Sequence, residues 1–374
     1  MRGVVKIRRS SGGVVRRNIA LLTAAIAALA TAAWAQAPYR LEHVTRFKGA
    51  QPGWDYLTFD PSSSRLFVGR RAAGVSVYDV RRRRVVGQAP DAKGANAATL
   101  VPEFGRGYTT NGDGTSTVFD LKTLRRIDKI KLGESADAAF YDPATRQLVF
   151  TLGDSKELVF VDAATARITG RLPMAASELE GVAADGHGML YAVERDIAKV
   201  AKIDAARRQV VAEWDLPHCD LPTGEALDRA DGRLFLGCKG EHPVLSVLDV
   251  ASGRIVAQPE IGRGNDGVIY DPDTRQVFTA NGVDANIVIF RQATPDRYDL
   301  VQAVTTRPIA RTLALDPRTK HLFTVTAEGM VDPARKVNRR AGAFYPNTYF
   351  DDTFVLLEYA PHKAAKSAAG DEDE

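Results

Sequence analysis

The chain has 374 residues, with 50 Lys and Arg against 46 Asp and Glu and a formal net charge of +4. Six of the positive charges (Arg2, Lys6, Arg8, Arg9, Arg16 and Arg17) lie in the opening stretch, which holds no acid; without them the net of +4 becomes −2. Net charge therefore does not imply a general nucleic-acid-binding surface, and nucleic acid is not favoured as a partner except at a local patch.

From the N-terminus, the basic start leads into IALLTAAIAALATAAWAQA, an apolar run with small residues at its end. This pattern predicts a secretory signal peptide over residues 1–37, cleaved after Ala35 or Ala37. The run is short and Ala-rich for a membrane span, and no cysteine precedes the cleavage region to carry a lipid. Arg8-Arg9 and Arg16-Arg17 raise the twin-arginine route, but Asn-Ile-Ala after Arg17 favours general secretion. The mature protein is expected to be periplasmic or secreted.

Beyond the leader, a turn-like segment recurs: FDPSSSRLFV at Asp60, YDPATRQLVF at Asp142, AADGHGMLYA at Asp185, LDRADGRLFL at Asp228, YDPDTRQVFT at Asp271 and LDPRTKHLFT at Asp316. The steps after Asp142 are 43, 43, 43 and 45 residues; the first, 82, spans two periods, and LVPEFGRGYTT at Leu100–Thr110 is the degenerate unit inside it. Pro fixes φ and Asp caps neighbouring amides, so each segment is a turn between strands. Seven units of about 40 residues with several short strands each predict an all-β fold, a seven-bladed β-propeller of four-stranded blades.

Third strands read VSVYDV, STVFDL, LVFVDA and so on to FVLLEY, but only six fourth strands follow them. The missing one is YRLEHVTRFKG (Tyr39–Gly49), which is similar to YDLVQAVTTRP (Tyr298–Pro308). The N-terminal strand should therefore complete the last blade and close the ring, leaving no unpaired seam. The propeller is expected over residues 38–361, with a disordered, acidic-ended tail over residues 362–374.

The repeat DPATRQLVF…VDAATARITG, with PEFGRGYTTNGDGTSTVFDLKTLRRIDKIKLGE, resembles the YVTN-repeat (YncE-like) family of bacterial β-propellers. The resemblance covers Tyr39–Pro361 and implies a secreted seven-bladed propeller. It implies little about chemistry, because members of such families bind different things.

Propeller geometry puts the Asp-Pro turns on one face, called the bottom, and the inter-blade connections with the loops from second to third strands on the other, the top. Five residues before each repeat aspartate, the innermost strand enters the channel from the top. Those positions are Asp55, Asp137, Glu180, Thr223, Asp266 and Arg311, with Asn96 in the degenerate unit and Glu225 and Asn265 adjacent. Hard carboxylate oxygens point to a divalent cation, Ca²⁺ in particular, held by Asp55, Asp137, Glu180 and Asp266, or to a cationic or polyhydroxyl ligand. The plainer alternative is that these acids cap amides and hold channel water. Asn265-Asp266-Gly267 is vaguely similar to the Asn-Gly strand start of gluconolactonase-type propellers, which place Glu, Asn and Asp around an axial metal. A metal-dependent lactonase or related hydrolase is thus the alternative activity, whereas no Gly-x-Ser-x-Gly elbow supports a nucleophilic triad.

Cys219 and Cys238, placed on the same rim, predict a disulfide in an exported chain; His218 beside Cys219 lacks further ligands at zinc spacing. Arg81 to Arg84 fall on a bottom turn and read as solvated surface. The last loop from second to third strand is long, Thr326–Asp352. Its Arg335, Lys336, Arg339 and Arg340, interleaved with Phe344, Tyr345, Tyr349 and Phe350, suit contact with an anion, a single-stranded nucleic acid or a protein, or a lid packed over the last blade. The expected function is a monomeric binding module that recognises a small molecule or an envelope protein through its top face.

Overall fold

Each repeat aspartate folds its segment by accepting hydrogen bonds from the residues just ahead of it. In the computed structural model, which describes residues 38–49, 53–337 and 345–362, Asp142 accepts from the amides of Ala144 and Thr145, both at 3.2 Å, and from the Thr145 hydroxyl at 2.6 Å. Asp271 and Asp316 accept the corresponding threonine hydroxyls at 2.7 and 2.9 Å. The basic residue that ends the motif lies in the left-handed region, with φ of 57° at Arg146, 52° at Arg275 and 62° at Lys320. Its side chain reaches back to the preceding blade: Arg146 to Glu103 at 2.8 Å, Arg275 to Asp231 at 2.7 Å, and Lys320 to Asp271 at 2.9 Å and Asp273 at 2.7 Å. The motif is thus both a turn and a stitch between neighbours on the bottom face.

These turns join antiparallel strands into seven four-stranded sheets in chain order, over residues 57–89, 95–131, 136–173, 179–215, 222–257 and 265–305 for blades 1 to 6. Blade 7 takes Leu313–Leu315, Leu322–Thr326 and Val355–Pro361, then Tyr39–Arg46 as its outermost strand. Tyr39 pairs with Pro361 and Arg46 with Val355, so the ends of the ring close on each other as expected. Innermost strands pack on one another around the ring, and that of blade 7 meets that of blade 1. The protein is a seven-bladed β-propeller.

The strand patterns follow from this layering. Second and third strands are buried on both faces, as in Gln147–Leu152 and Glu157–Asp162, and accordingly read as near-continuous apolar runs. Fourth strands alternate or are largely exposed, as in Gln209–Asp215. The core lies between blades: Tyr108 and Val118 of blade 2 pack with Phe150, Leu152 and Val159 of blade 3. Residues 1–37, the expected signal peptide, and residues 363–374 of the tail lie outside the described residues.

In blades 2 to 6 the innermost strand slips register near its top end, between Ala95 and Ala97, Ala136 and Ala138, Leu179 and Val182, Pro222 and Gly224, and Asn265 and Gly267. A bulge leaves one residue out of the ladder and re-aims its side chain. The residues at these slips are Asn96, Asp137, Glu180, Thr223 and Asp266, the positions that the repeat spacing marks as the channel mouth.

Candidate functional site: a charged chamber at the channel mouth

The five bulges and the two strand starts of blades 1 and 7 surround a chamber of about 490 Å³ lined by Asp55, Asp137, Glu180, Asp266 and Arg311. The two remaining mouth positions stand behind it. Asn96 donates its amide to Asp137 Oδ1 at 2.9 Å and so orients that carboxylate, while the Thr223 hydroxyl turns to the carbonyl of Leu221 at 3.0 Å. Asn265, next in the chain to Asp266, faces the wall: its amide donates to the carbonyls of Gly267 and Ala280 and to Asn281 Oδ1. One residue of strand register separates lining from scaffold.

The mouth is not acidic, as the mouth positions alone suggest; it is a mixed-charge site. Arg71, Arg195 and Lys239 also line it. They stand ten or eleven residues after the repeat aspartates Asp60, Asp185 and Asp228, just beyond the second strands. The same ruler that finds the acids upstream would have found these cations downstream. Arg71 pairs with Asp55 and donates Nε–H to the carbonyl of Trp54 at 3.3 Å; Lys239 pairs with Asp266. Arg195 Nη1 lies 3.0 Å from Glu180 Oε1 and 3.4 Å from Glu178. Arg311 is the hub: Nε lies 2.5 Å from Asp266 Oδ2, Nη1 donates to the Tyr345 hydroxyl at 2.9 Å and Nη2 to the Trp54 carbonyl at 3.1 Å. A guanidinium this deeply buried, 11% exposed, persists only because its partners offset the cost of desolvation.

Proton affinities divide the chamber. Burial pushes Asp266 up, but Lys239 and Arg311 outweigh it and hold its carboxyl below the ordinary range. On the other wall, burial and then the Asp55 charge raise Asp137 to about 6. Burial and then Asp137 raise Glu180 to about 8, against the pull of Arg195. Asp55 is also raised, chiefly by burial, with Arg311 and Arg71 opposing.

Below the chamber a second space of about 180 Å³ continues down the axis, and Tyr56 and Asp266 line both. At the level of Tyr56 the other blades present small residues, among them Ala97, Ala138, Gly181, Gly224 and Gly267. The tyrosine fills the room they leave, its hydroxyl donating to Glu180 Oε2 at 3.4 Å. Glu225 belongs to this lower level and not to the mouth. Its carboxylate lies over Gly181, where a Cβ would sit 1.6 Å from Oε1, so a side chain at that position would have to push the Glu225 carboxylate aside. Burial, then the nearby Glu180, pushes the Glu225 carboxyl well up.

Among the described residues, no three His, Cys, Asp or Glu side chains converge to hold a metal ion. The expected Ca²⁺ site at Asp55, Asp137, Glu180 and Asp266 does not fit the donor set: Asp55 and Asp266 are committed to Arg71, Arg311 and Lys239, and a dication there would face fixed positive charge. The lactonase chemistry that depended on such a metal has no support in these residues.

The long loop contributes one wall. Gly329–Met330 pairs with Thr348–Tyr349 as a short hairpin, Tyr349 packs edge-on against Trp54 at 5.0 Å between ring centres, and Tyr345 reaches Arg311 in the chamber. Arg335 is instead an exposed side chain paired with Asp332 at 3.6 Å, Lys336 and Phe350 are exposed, and none of the three lines the chamber. Arg339, Arg340 and Phe344 lie outside the described residues. Cys219 and Cys238 form the expected disulfide, with Cα atoms 5.0 Å apart. It anchors the connection from blade 4 to blade 5 beside Lys239, whose amide also donates to the carbonyl of Asp220 at 2.8 Å. Arg81 to Arg84 are exposed on a bottom turn, with Arg82 close to Asp79 and Arg83 to Glu358.

No family model matches the chain, and no curated protein matches it. Among solved structures it is similar to a chain of hydrazine synthase from Kuenenia stuttgartiensis, with a TM-score of 0.65 and 16% identity over 75% of this chain and 94% of that one. It is also similar to a chain of a mitotic checkpoint complex, with a TM-score of 0.68 and 13% identity over 97% of this chain and 98% of that one. At such identities the likeness is one of fold alone, and the fold is the β-propeller.

Proposed function

We propose that the chain is an exported binding module, akin to the YVTN-repeat propellers, that takes a small polar ligand at the top of its channel. The observation that carries this reading is the chamber of about 490 Å³, most of whose charged side chains are fixed by ion pairs with one another. Its size falls in the range of small-molecule sites. Cross-blade ion pairs, bulged strand starts and the Tyr345 wall preorganise it, which lowers the ordering cost of binding. The leader pattern and the Cys219–Cys238 bridge favour an oxidising, extracytoplasmic setting. A ring that closes with its own N-terminal strand favours a monomer.

The test is a thermal-shift screen of the full mature chain against small polar solutes, followed by calorimetry on those that raise the melting temperature. A chamber ligand should lose at least tenfold in affinity in the Arg71→Gln/Lys239→Gln double variant, whose melting behaviour serves as the folding control. Ligands whose binding ignores that double variant, or a screen without any, would overturn the reading.

A further inference from the structure

The charges around the chamber are unevenly distributed. Blades 5, 6, 7 and 1 bring Lys239, Arg311 and Arg71 against Asp266 and Asp55, and the connection between blades 5 and 6 adds Arg263, paired with Asp284. Blades 3 and 4 bring Asp137 and Glu180 with Arg195 as the one cation of their own, Arg71 and Lys239 acting on them from the neighbouring wall, and Glu225 of blade 5 lies beneath. Of the four mouth acids, Asp137 is the one that makes no ion pair among the described residues; it accepts only the Asn96 amide, on Oδ1. The chamber therefore has a cation-rich wall and an acid-rich wall, and the acid-rich wall has an uncommitted carboxylate oxygen.

We infer that the ligand is a small zwitterion, an aminocarboxylate, whose ammonium sits between Asp137 and Glu180 and whose carboxylate meets Arg71, Lys239 and Arg311. This rests on the chamber being a ligand site. An anion alone would leave the half-buried Asp137 carboxylate without an ion pair, and a cation alone would leave the excess of positive charge across the chamber unmatched; both cost free energy in a partly desolvated site. A molecule with both charges, separated by a few bonds, satisfies both walls. An ammonium arriving beside Glu180 also displaces the proton that burial keeps on it, so binding near pH 7 releases a proton to the buffer.

Titration calorimetry of the full mature chain at pH 7, in two buffers of different ionisation enthalpy, tests this with α-amino acids and ω-aminocarboxylates of two to six carbons, and with butylamine and butyrate as single-charge controls. The expected result is that at least one aminocarboxylate binds ten times more tightly than either control and releases a fraction of a proton approaching one. In Asp137→Asn the preference over butyrate should fall about tenfold, and in Glu180→Gln the proton release should vanish, so the test survives the failure of either variant to fold. If butyrate or butylamine binds as tightly as every aminocarboxylate, the zwitterion assignment is wrong while the chamber remains a ligand site. If no aminocarboxylate binds, the assignment is equally wrong, and if the wider solute screen also fails, the chamber reading falls with it.

Discussion

Glu180 is where burial and charge compete most directly in this protein. Its side chain is 8% exposed and 3.0 Å from Arg195, yet loss of solvent and the Asp137 charge outweigh that partner and raise it to about 8 from an ordinary 4.5. Between those values the folded chain binds more protons than the unfolded chain, so stability contributed here is present at low pH, declines as pH rises through that window, and levels off above it. Asp266 works in the opposite sense. Its depressed carboxyl contributes stability above the unfolded value, and that is lost as pH falls through the folded one. Asp60 and Asp162, depressed by the hydrogen bonds of their turns, add to the loss at the acid end. Between about pH 6 and 8 the slope is shared with other raised groups, Asp55 by burial and the His321 imidazole by its hydrogen bond to Glu358 among them, so the part due to Glu180 is the part that its removal takes away. Melting temperature measured across that interval should fall with rising pH in the native chain and fall less steeply in Glu180→Gln. One fully linked proton corresponds to at most ~1.4 kcal/mol per pH unit; an unchanged slope in the variant would assign the effect to another group.

At the scale of elements, the bulge and the disulfide do for the mouth what the Asp-Pro turn does for the bottom face. The bulges take Asp137, Glu180 and Asp266 out of the ladder and point them inward, while each Asp-Pro turn ties its blade to a neighbour. Blade 5 is distinguished by the bridge between Cys219 and Cys238, which spans 19 residues and flanks Lys239. A closed loop of that length restricts the unfolded chain by about 3 kcal/mol. Both sulfurs are fully buried, so the Cys219→Ala/Cys238→Ala chain should lose about that amount in urea unfolding, read as a lower midpoint. A midpoint within experimental error of the native one would show that the bridge adds nothing to stability.

For the whole molecule, the consequential contact is between the two ends of the ring. Tyr39–Arg46 covers the edge of Val355–Pro361, and Tyr39 is further held by Gln302 of blade 6 through its amide and by the carbonyl of Lys320 through its hydroxyl, at 2.8 and 2.9 Å. Deleting residues 39–46 would leave a long strand with open donors and acceptors beside the buried Leu357 and Tyr359. The deletion variant should elute as oligomer or aggregate in size-exclusion chromatography and lose the single sharp melting transition. A monomer with native melting would mean that the ring does not depend on this closure.

The repeat by itself determined the number of blades, the face on which the turns lie, the closing strand, the shared rim of the two cysteines and the ring level of the mouth residues. All of these are consequences of chain period, and a period can be counted. What the residues do to one another at the mouth was decided only by the tertiary structure. Asp55, Asp137, Glu180 and Asp266 stand in the sequence as a set of acids suited to a cation, but long side chains from just beyond the second strands, 15 to 27 residues away in the chain, reach three of them and supply the opposite charge. Asn265 and Asp266 differ by one position and face different ways, because a strand alternates and a bulge shifts the alternation. Counting from the turns locates the level of a side chain along the channel; its direction, its partners and the charge of the chamber depend on how seven separate strand ends meet.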